Sequence, residues 1–176
     1  SPIGQVPYLE IDNTKLPQSL SIARYLAREY NLVGKNNLEA AKADAIVDTC
    51  IDLMTAFYYK VHVITHLPAK VLRENYNLSY LNLKFDILFS IIFKDSALKA
   101  FMIEEAPQGL ANIEKLAKTY GSSGHAVGSS LTWADLFIHE IAYSLSNYDA
   151  DVIKGFSGLK KIIHTVEKNE SIAKYL

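Results

Sequence analysis

The sequence predicts a chain of two parts, a short α/β segment followed by an all-α domain. Side chains alternate as in a strand from Val6 to Asp12, a tight turn follows at Asp12-Asn13, and a return strand begins at Lys15. Beyond residue 17 the apolar period becomes that of a helix, and from Leu38 onward several helical patterns follow one another. The expected fold class is therefore α/β plus all-α.

Composition limits the classes of function. The chain has 176 residues, 49% of them hydrophobic, which is enough for one or two compact domains. Its 18 Lys and Arg nearly balance its 19 Asp and Glu, so there is no electrostatic case for binding nucleic acid or an anionic membrane. No stretch is apolar and long enough to span a bilayer. The single cysteine, Cys50, excludes an internal disulfide and fits a reducing, cytoplasmic compartment.

The start of the hairpin and the start of the first helix each carry an unusual feature. Pro7 makes Val6–Pro7 a candidate cis peptide bond, which would turn the Val6 backbone N–H and carbonyl outward. The return strand stops at Pro17, and Gln18-Ser19 then places an amide and a hydroxyl at the positive end of a helix dipole. Alternatively, these features are an ordinary edge-strand proline and an ordinary helix cap. Together they predict a site for a small anionic peptide.

Residues 4–12 (GQVPYLEID) and 16–30 (LPQSLSIARYLAREY) resemble the glutathione-binding half of a sigma-class glutathione S-transferase, the class that includes haematopoietic prostaglandin D synthase. The resemblance implies that residues 1–31 are the C-terminal half of a thioredoxin-like domain, with Pro7 as its cis-proline. Val6 would hold the cysteinyl part of glutathione through its backbone, and Gln18 and Ser19 would hold the γ-glutamyl carboxylate. Gln5 would lie beside the glycyl end.

In the family, a βαβ unit precedes this hairpin and carries the catalytic tyrosine. No residue of this chain is therefore assigned a catalytic role. The expectation is that the chain is N-terminally incomplete, either as a fragment or as an incompletely predicted gene.

Residues 32–37 are expected to form a linker, and residues 38–176 an all-helical domain of the glutathione-transferase type. Asn36 and Glu39 resemble a capping box, and a long helix should follow to about Val61. In relatives, the carboxylate that matches Asp52 crosses the dimer interface to the α-amino group of glutathione. The alternative is a solvated acidic face. Ile51 interrupts a carboxylate cluster that binds a divalent cation in some relatives, so no metal is predicted.

Side chains near the end of this helix are candidates for a hydrophobic substrate pocket: Met54, Tyr58 and Tyr59. At helical spacing such residues more often belong to the plain core, which is the alternative. His62 and His66 are four residues apart and could hold a metal ion, but no third ligand is evident.

Residues 68–94 fit the family poorly and are treated as an atypical insertion. The segment is rich in Leu, Ile, Phe, Tyr, Asn, Ser and Lys and contains no Gly. A translated intron is one explanation, and a genuine extra helix over 83–93 is the other.

The remaining sequence returns to helical patterns. Pro107 should kink or split a helix over Ser96–Tyr120, and Gly121–Gly128 should be a connector. Thr132 and Asp135 form the pattern of a capping box, which we interpret as structural and not catalytic. Two further amphipathic patterns complete the helical domain.

The residues and the resemblance together predict a glutathione transferase that conjugates reduced glutathione to hydrophobic electrophiles in detoxification, with prostaglandin isomerisation as a further activity of the class. Glutathione would be the co-substrate, and the enzyme a cytoplasmic homodimer. One alternative is a non-catalytic relative of the lens S-crystallin type. Those relatives also carry an insertion after the first long helix but tend to be rich in methionine, and this chain has two. The other alternative is a truncated or mis-predicted gene product.

Overall fold

The computed structural model describes residues 1–60 and 95–175. A two-stranded antiparallel sheet and one helix come first, and a group of packed helices follows. The sequence-predicted insertion over 68–94, the candidate helix over 83–93, and His62 and His66 all lie outside the described residues. No helix in the two described ranges could cross a membrane.

Strand β1 (Tyr8–Ile11) pairs with β2 (Thr14–Pro17) in the register Tyr8↔Pro17 to Ile11↔Thr14. The connecting Asp12 and Asn13 have φ values of 45° and 67°, as the two central residues of a type I′ hairpin turn require. The predicted hairpin is therefore confirmed, with β1 shorter than the alternation suggested. Because Pro7 has no N–H to donate to a ladder, regular pairing begins only after it.

Helix α1 spans Ser19–Glu29 and packs Leu20 and Ala23 against the core, with Ala27 buried. It ends where Asn31 takes a left-handed φ of 57° and the Leu32 N–H donates to the Ala27 carbonyl at 2.7 Å. Asparagine tolerates this conformation better than most residues, which is why it is used after helix ends.

Helix α2 spans Asn37–Tyr58, beginning one residue before the predicted start. The Asn36 side chain accepts the Glu39 N–H at 2.9 Å, as the predicted capping box requires. The other half of that prediction is wrong. The Glu39 carboxylate accepts the N–H of Lys35 at 2.6 Å instead of that of Asn36, so it caps the linker and not the helix.

The second described range opens with helical residues 95–100, which lead into a π-helical turn at Phe101–Glu105 and then into α3 (Ala106–Tyr120). Pro107 follows the π-helical turn directly, and the N–H that it lacks cannot join the regular helical ladder. The dihedral angles of Ala100, Glu105 and Ala106 stay in the right-handed helical region, so the helix is not split at this proline and the irregularity is the π-helical turn before it. Gly109 allows a close approach to α2, because a Cβ atom there would lie 2.6 Å from a methyl carbon of Leu53.

Helix α4 (Trp133–Ser146) is central, since it packs against both α2 and the last described helix, α5 (Ser157–Glu167). Its buried residues alternate at helical spacing around more than one face. Aromatic contacts join the far end of α2 to the rest: the ring centre of Phe57 lies 5.2 Å from that of Phe101 and 5.1 Å from that of Tyr148. The loop over 121–128 is closed by a bridge between Gly121 and Gly128, consistent with its predicted role as a connector.

Candidate functional site

The segment before β1 presents an open peptide group. The Val6–Pro7 bond is cis, as predicted. The Val6 side chain is 83% exposed, and no hydrogen bond of the described residues uses the Val6 N–H or carbonyl. Gln5 precedes it with an exposed side chain, and its carbonyl accepts the Ser1 hydroxyl. Val6 therefore retains both main-chain groups for an extended ligand.

The start of α1 lies at the same end of the hairpin. Because Tyr8 pairs with Pro17, the register brings Pro7 to the side of Gln18. Gln18 has a left-handed φ of 74°, and its side chain makes no capping bond to the helix. The interpretation of Gln18 as an ordinary helix cap is therefore wrong. Its amide is exposed, which leaves it available to a ligand.

Ser19 is the first residue of α1, and its side chain is exposed. The first turn contains no acidic residue, so no carboxylate offsets the positive end of the helix dipole. The first N–H groups of a helix have no partner within the helix. A hydroxyl, an amide and these N–H groups together can bind a carboxylate.

Asp52 lies on α2, exposed to solvent. No hydrogen bond or ion pair of the described residues involves it, and none joins it to the start of α1. The two preceding carboxylates on the same face are engaged. The Arg24 Nε atom lies 3.1 Å from an oxygen of Asp44, and an Arg24 terminal nitrogen lies 3.5 Å from Asp48. Asp52 is therefore the uncommitted carboxylate of this face.

The three candidates for a hydrophobic pocket follow Asp52 along the helix. Met54 is half-buried and packs against the core. Tyr58 and Tyr59 are 58% and 60% exposed. Their rings lie at the surface close to residue 60, where the first described range ends.

Asp135 is fully buried, and three donors surround its carboxylate. One oxygen accepts the Ala126 N–H at 2.7 Å. The other accepts the Thr132 N–H at 2.7 Å and the Thr132 hydroxyl at 2.8 Å. The Asp135 N–H in turn donates to the Thr132 side chain, and with the bond from the Thr132 N–H this forms the predicted capping box. Burial raises the pKa of Asp135, although these donors act in the opposite direction. His125 lies beside it, with Nδ1 4.0 Å from the carboxylate.

The Arg24 guanidinium and the Cys50 thiol were given no role from the sequence. Arg24 pairs with α2, and its guanidinium carbon also lies 5.2 Å from the ring centre of Trp133 on α4. Only tertiary packing brings these residues together, so no local sequence pattern could have indicated the Arg24 contacts.

Cys50 is buried, and burial raises its thiol pKa to about 12, which excludes a reactive thiolate near neutral pH.

Metal binding has no visible basis in the described ranges. Residues 1–60 and 95–175 contain no group of three or more His, Cys, Asp or Glu side chains arranged to hold an ion.

Comparison with known proteins gives two family matches. Residues 1–28 match the family described as "Glutathione S-transferase, N-terminal domain", and residues 84–176 match "Glutathione S-transferase, C-terminal domain". The second match covers more than half of the chain.

Similar proteins align over nearly the whole chain. The hematopoietic prostaglandin D synthase of Gallus gallus is 31% identical over 175 residues, covering 99% of this chain and 73% of the relative. Glutathione S-transferase 1 of Ascaris suum is 31% identical over 176 residues, covering 100% and 74%. The crystal structure of the glutathione S-transferase from Ascaris lumbricoides superposes with a TM-score of 0.73 at 30% identity, covering 99% of this chain and 74% of that one. With its hairpin, cis-proline and helical group, this chain belongs to the glutathione S-transferase family.

Proposed function

We propose that this protein conjugates reduced glutathione to hydrophobic electrophiles, as a cytoplasmic homodimer of the sigma class. The observation that carries the proposal is the pairing of an open Val6 peptide group with an uncapped α1 start at one end of the hairpin. The Val6 peptide group offers main-chain hydrogen bonds to an extended peptide. The start of α1 offers hydrogen-bond donors to a carboxylate.

Glutathione meets both requirements, since it is a short peptide with a carboxylate at each end. The Val6 N–H and carbonyl bind its cysteinyl residue, and Gln18 and Ser19 bind the γ-glutamyl carboxylate. Gln5 lies towards the glycyl end. Asp52, exposed and without an ion pair in the described chain, binds the α-amino group in the other subunit of the dimer.

The chemistry of conjugation is attack by the glutathione thiolate on an electrophilic carbon. The sulfur–carbon bond forms, the leaving group departs with its electron pair, and the thiol proton goes to solvent. Residues of this chain bind and orient the tripeptide, and no catalytic residue is assigned among them. Met54, Tyr58 and Tyr59 supply apolar surface for the electrophile.

Prostaglandin isomerisation is the second candidate. It is favoured by the 31% identity with the Gallus gallus prostaglandin D synthase over 99% of this chain. Such a reaction uses the same bound thiolate on an endoperoxide and regenerates glutathione, so it needs the same binding residues.

The test compares Ser19→Ala with Ser21→Ala in the full-length gene product. Both serines are exposed on the first turn of α1, but only Ser19 belongs to the proposed site. We expect Ser19→Ala to raise the Kd for glutathione roughly tenfold, since a bond to a charged carboxylate is lost. Ser21→Ala should leave it unchanged.

Isothermal titration calorimetry measures the affinity, and transfer of glutathione to an electrophilic aryl halide measures the activity. Equal effects of the two substitutions would contradict the proposed site. Tight binding without transfer would point instead to a non-catalytic relative.

A further inference from the structure

A small cavity lies where the end of α3, the loop over 121–125 and the start of α5 meet, and its volume is about 250 Å³. Its polar side chains are two lysines, three serines and one histidine: Lys118, Ser122, Ser123, His125, Ser157 and Lys161. Among the described residues, no Asp or Glu lines it, and no residue assigned to glutathione or the electrophile does. We propose that this cavity binds a tetrahedral oxyanion, either free phosphate or the phosphoryl group of a small phosphomonoester.

Lys161 supplies the net positive charge of the cavity. The residue is exposed on α5, and no ion pair within residues 1–60 and 95–175 includes it. An ammonium group has three N–H donors and no acceptor. An oxyanion that enters the cavity therefore meets a cation that no carboxylate of the described chain has neutralised.

Lys118 adds a second ammonium from the last turn of α3, but its charge is balanced. It lies 2.7 Å from one oxygen of Glu114, whose side chain is 13% exposed. The other Glu114 oxygen accepts the Gly158 N–H at 2.6 Å. Glu114 thus caps the start of α5, so the end of that helix is not itself the anion site. Lys118 keeps further N–H donors for a second acceptor.

The loop contributes backbone donors next to Lys161. Ser123 and Gly124 have left-handed φ values of 55° and 83°, and no hydrogen bond of the described residues uses their N–H groups. The loop also packs tightly on α5. A Cβ atom at Gly124 would lie 2.7 Å from the Thr165 hydroxyl oxygen and 3.6 Å from the Lys161 carbonyl oxygen. The main chain at Gly124 is therefore held beside the turn of α5 that carries Lys161.

The shape and the donors of the cavity favour phosphate over a carboxylate. Donors come from three elements, and Ser123 and Ser157 add exposed hydroxyls. A phosphoryl group presents at least three strong acceptor oxygens, so it can accept from several directions at once. The cavity is smaller than the usual site for a drug-sized molecule, which fits an ion or a small head group.

The probe is inorganic phosphate, titrated into the isotope-labelled full-length gene product and followed by heteronuclear NMR. Saturating S-hexylglutathione keeps phosphate out of the proposed carboxylate site at the start of α1. We expect saturable shifts of the Ser123 and Gly124 amide signals. Lys161→Glu should raise the Kd for phosphate roughly tenfold or more, since an attraction becomes a repulsion. Lys160→Glu is the matched control, because Lys160 is the preceding residue, is exposed and does not line this cavity.

Ser157→Glu supplies a second test from the start of α5. A negative charge in the first turn of a helix is favourable, so this variant should fold, yet it places a carboxylate in the cavity and should weaken phosphate as Lys161→Glu does. Three results would overturn the proposal: the same shifts with chloride at equal ionic strength, equal Kd values for the two lysine variants, or an unchanged Kd in Ser157→Glu.

A second ligand distinguishes the two sources of the phosphoryl group. Binding of β-glycerophosphate with the same amide shifts would identify a phosphomonoester as the ligand class. Binding of inorganic phosphate alone would identify the free ion. Failure of both to shift the Ser123 and Gly124 signals would contradict an oxyanion site.

Discussion

At Asp135 the chain buries a carboxylate completely, and both of its oxygens accept hydrogen bonds. The donors come from the start of α4 and from Ala126 in the preceding loop. A side chain engaged in this way holds two segments together, and it offers no free oxygen to a substrate. The interpretation of Asp135 as structural follows from this set of partners.

We predict that Asp135→Asn lowers the free energy of unfolding by about 2 kcal/mol or more. Asparagine keeps one oxygen, and its NH₂ group would face a backbone N–H that then has no acceptor. Urea denaturation measures the loss. Asp95→Asn is the control, since Asp95 is exposed and its ion pair within the described ranges is with Lys99 at 2.7 Å, a contact worth roughly 0.5 kcal/mol or less. Comparable losses would contradict the assigned role.

The raised pKa of Asp135 also predicts a pH dependence. Because its pKa in the folded chain is above the ordinary value of 3.8, the folded state holds this proton more tightly than the unfolded state. Its contribution to stability is therefore complete below pH 3.8 and is lost as the pH rises through the raised pKa. The Asp135→Asn variant has no titrating group at this position. The difference in free energy of unfolding between the wild type and this variant should therefore become smaller as the pH rises from 3.8 through the raised pKa, which a series of urea denaturations at different pH values measures.

The Thr132–Asp135 pair could be predicted from sequence because both partners lie within one helical turn. The Ala126 N–H could not, since it reaches Asp135 only after the loop over 121–128 has closed. The left-handed φ of Gln18 was missed for a related reason. Glutamine has no intrinsic preference for that conformation, so only the path from β2 into α1 produces it.

Arg24 joins helix α1 to the helical group, in addition to the apolar packing of Leu20, Ala23 and Ala27. It pairs with Asp44 and Asp48 on α2 and lies over the Trp133 ring on α4. The same helix carries Gln18 and Ser19 at its start. The Arg24 contacts therefore determine where the proposed carboxylate site stands relative to α2.

We predict that Arg24→Gln speeds amide hydrogen exchange in α1, corresponding to a loss of roughly 1 kcal/mol, because two ion-pair contacts and a cation–π contact disappear. Exchange within α2 should change much less. Arg28→Gln is the control, since Arg28 is exposed in the last turn of α1 and makes no ion pair among the described residues. Equal exchange in the two variants would contradict the anchoring role.

Element types were predictable where a local signal was strong. Periodicity indicated α1, α2 and α4, the Asp12-Asn13 pair indicated the turn, and Pro107 indicated an irregularity in the helix around it. The π-helical turn was not predicted, because no residue type requires one. Glu39 was assigned to the wrong N–H because Lys35, four residues before it, is within reach of its side chain as well as Asn36, three residues before it.

At the scale of the whole molecule, α4 packs against both α2 and α5, and its buried side chains belong to the core. We predict that Ile138→Ala lowers the free energy of unfolding by about 2 to 5 kcal/mol, since its side chain is 2% exposed and its loss leaves a cavity. Chemical denaturation followed by circular dichroism measures this. Ile103→Ala makes the same change where the side chain is 74% exposed and should cost roughly 0.5 kcal/mol or less. Similar losses would contradict the central position of α4.

The organisation into residues 1–31, a linker over 32–37 and a helical domain over 38–176 stays a prediction, as do the insertion over 68–94 and the roles of the individual glutathione-binding residues. Family membership could be predicted because residues 4–12 and 16–30, around Pro7, resemble the glutathione-binding half of a glutathione S-transferase.

One contact of the linker has a mechanical consequence. The Leu32 carbonyl accepts the Trp133 N–H at 2.8 Å, so the first backbone donor of α4 is satisfied from a segment a hundred residues earlier in the chain. If the linker moved away from α4, the Trp133 N–H would lose the Leu32 carbonyl as its acceptor at a residue that is buried. The linker is thus tied to the start of α4, and any movement of residue 32 away from α4 carries the cost of this hydrogen bond.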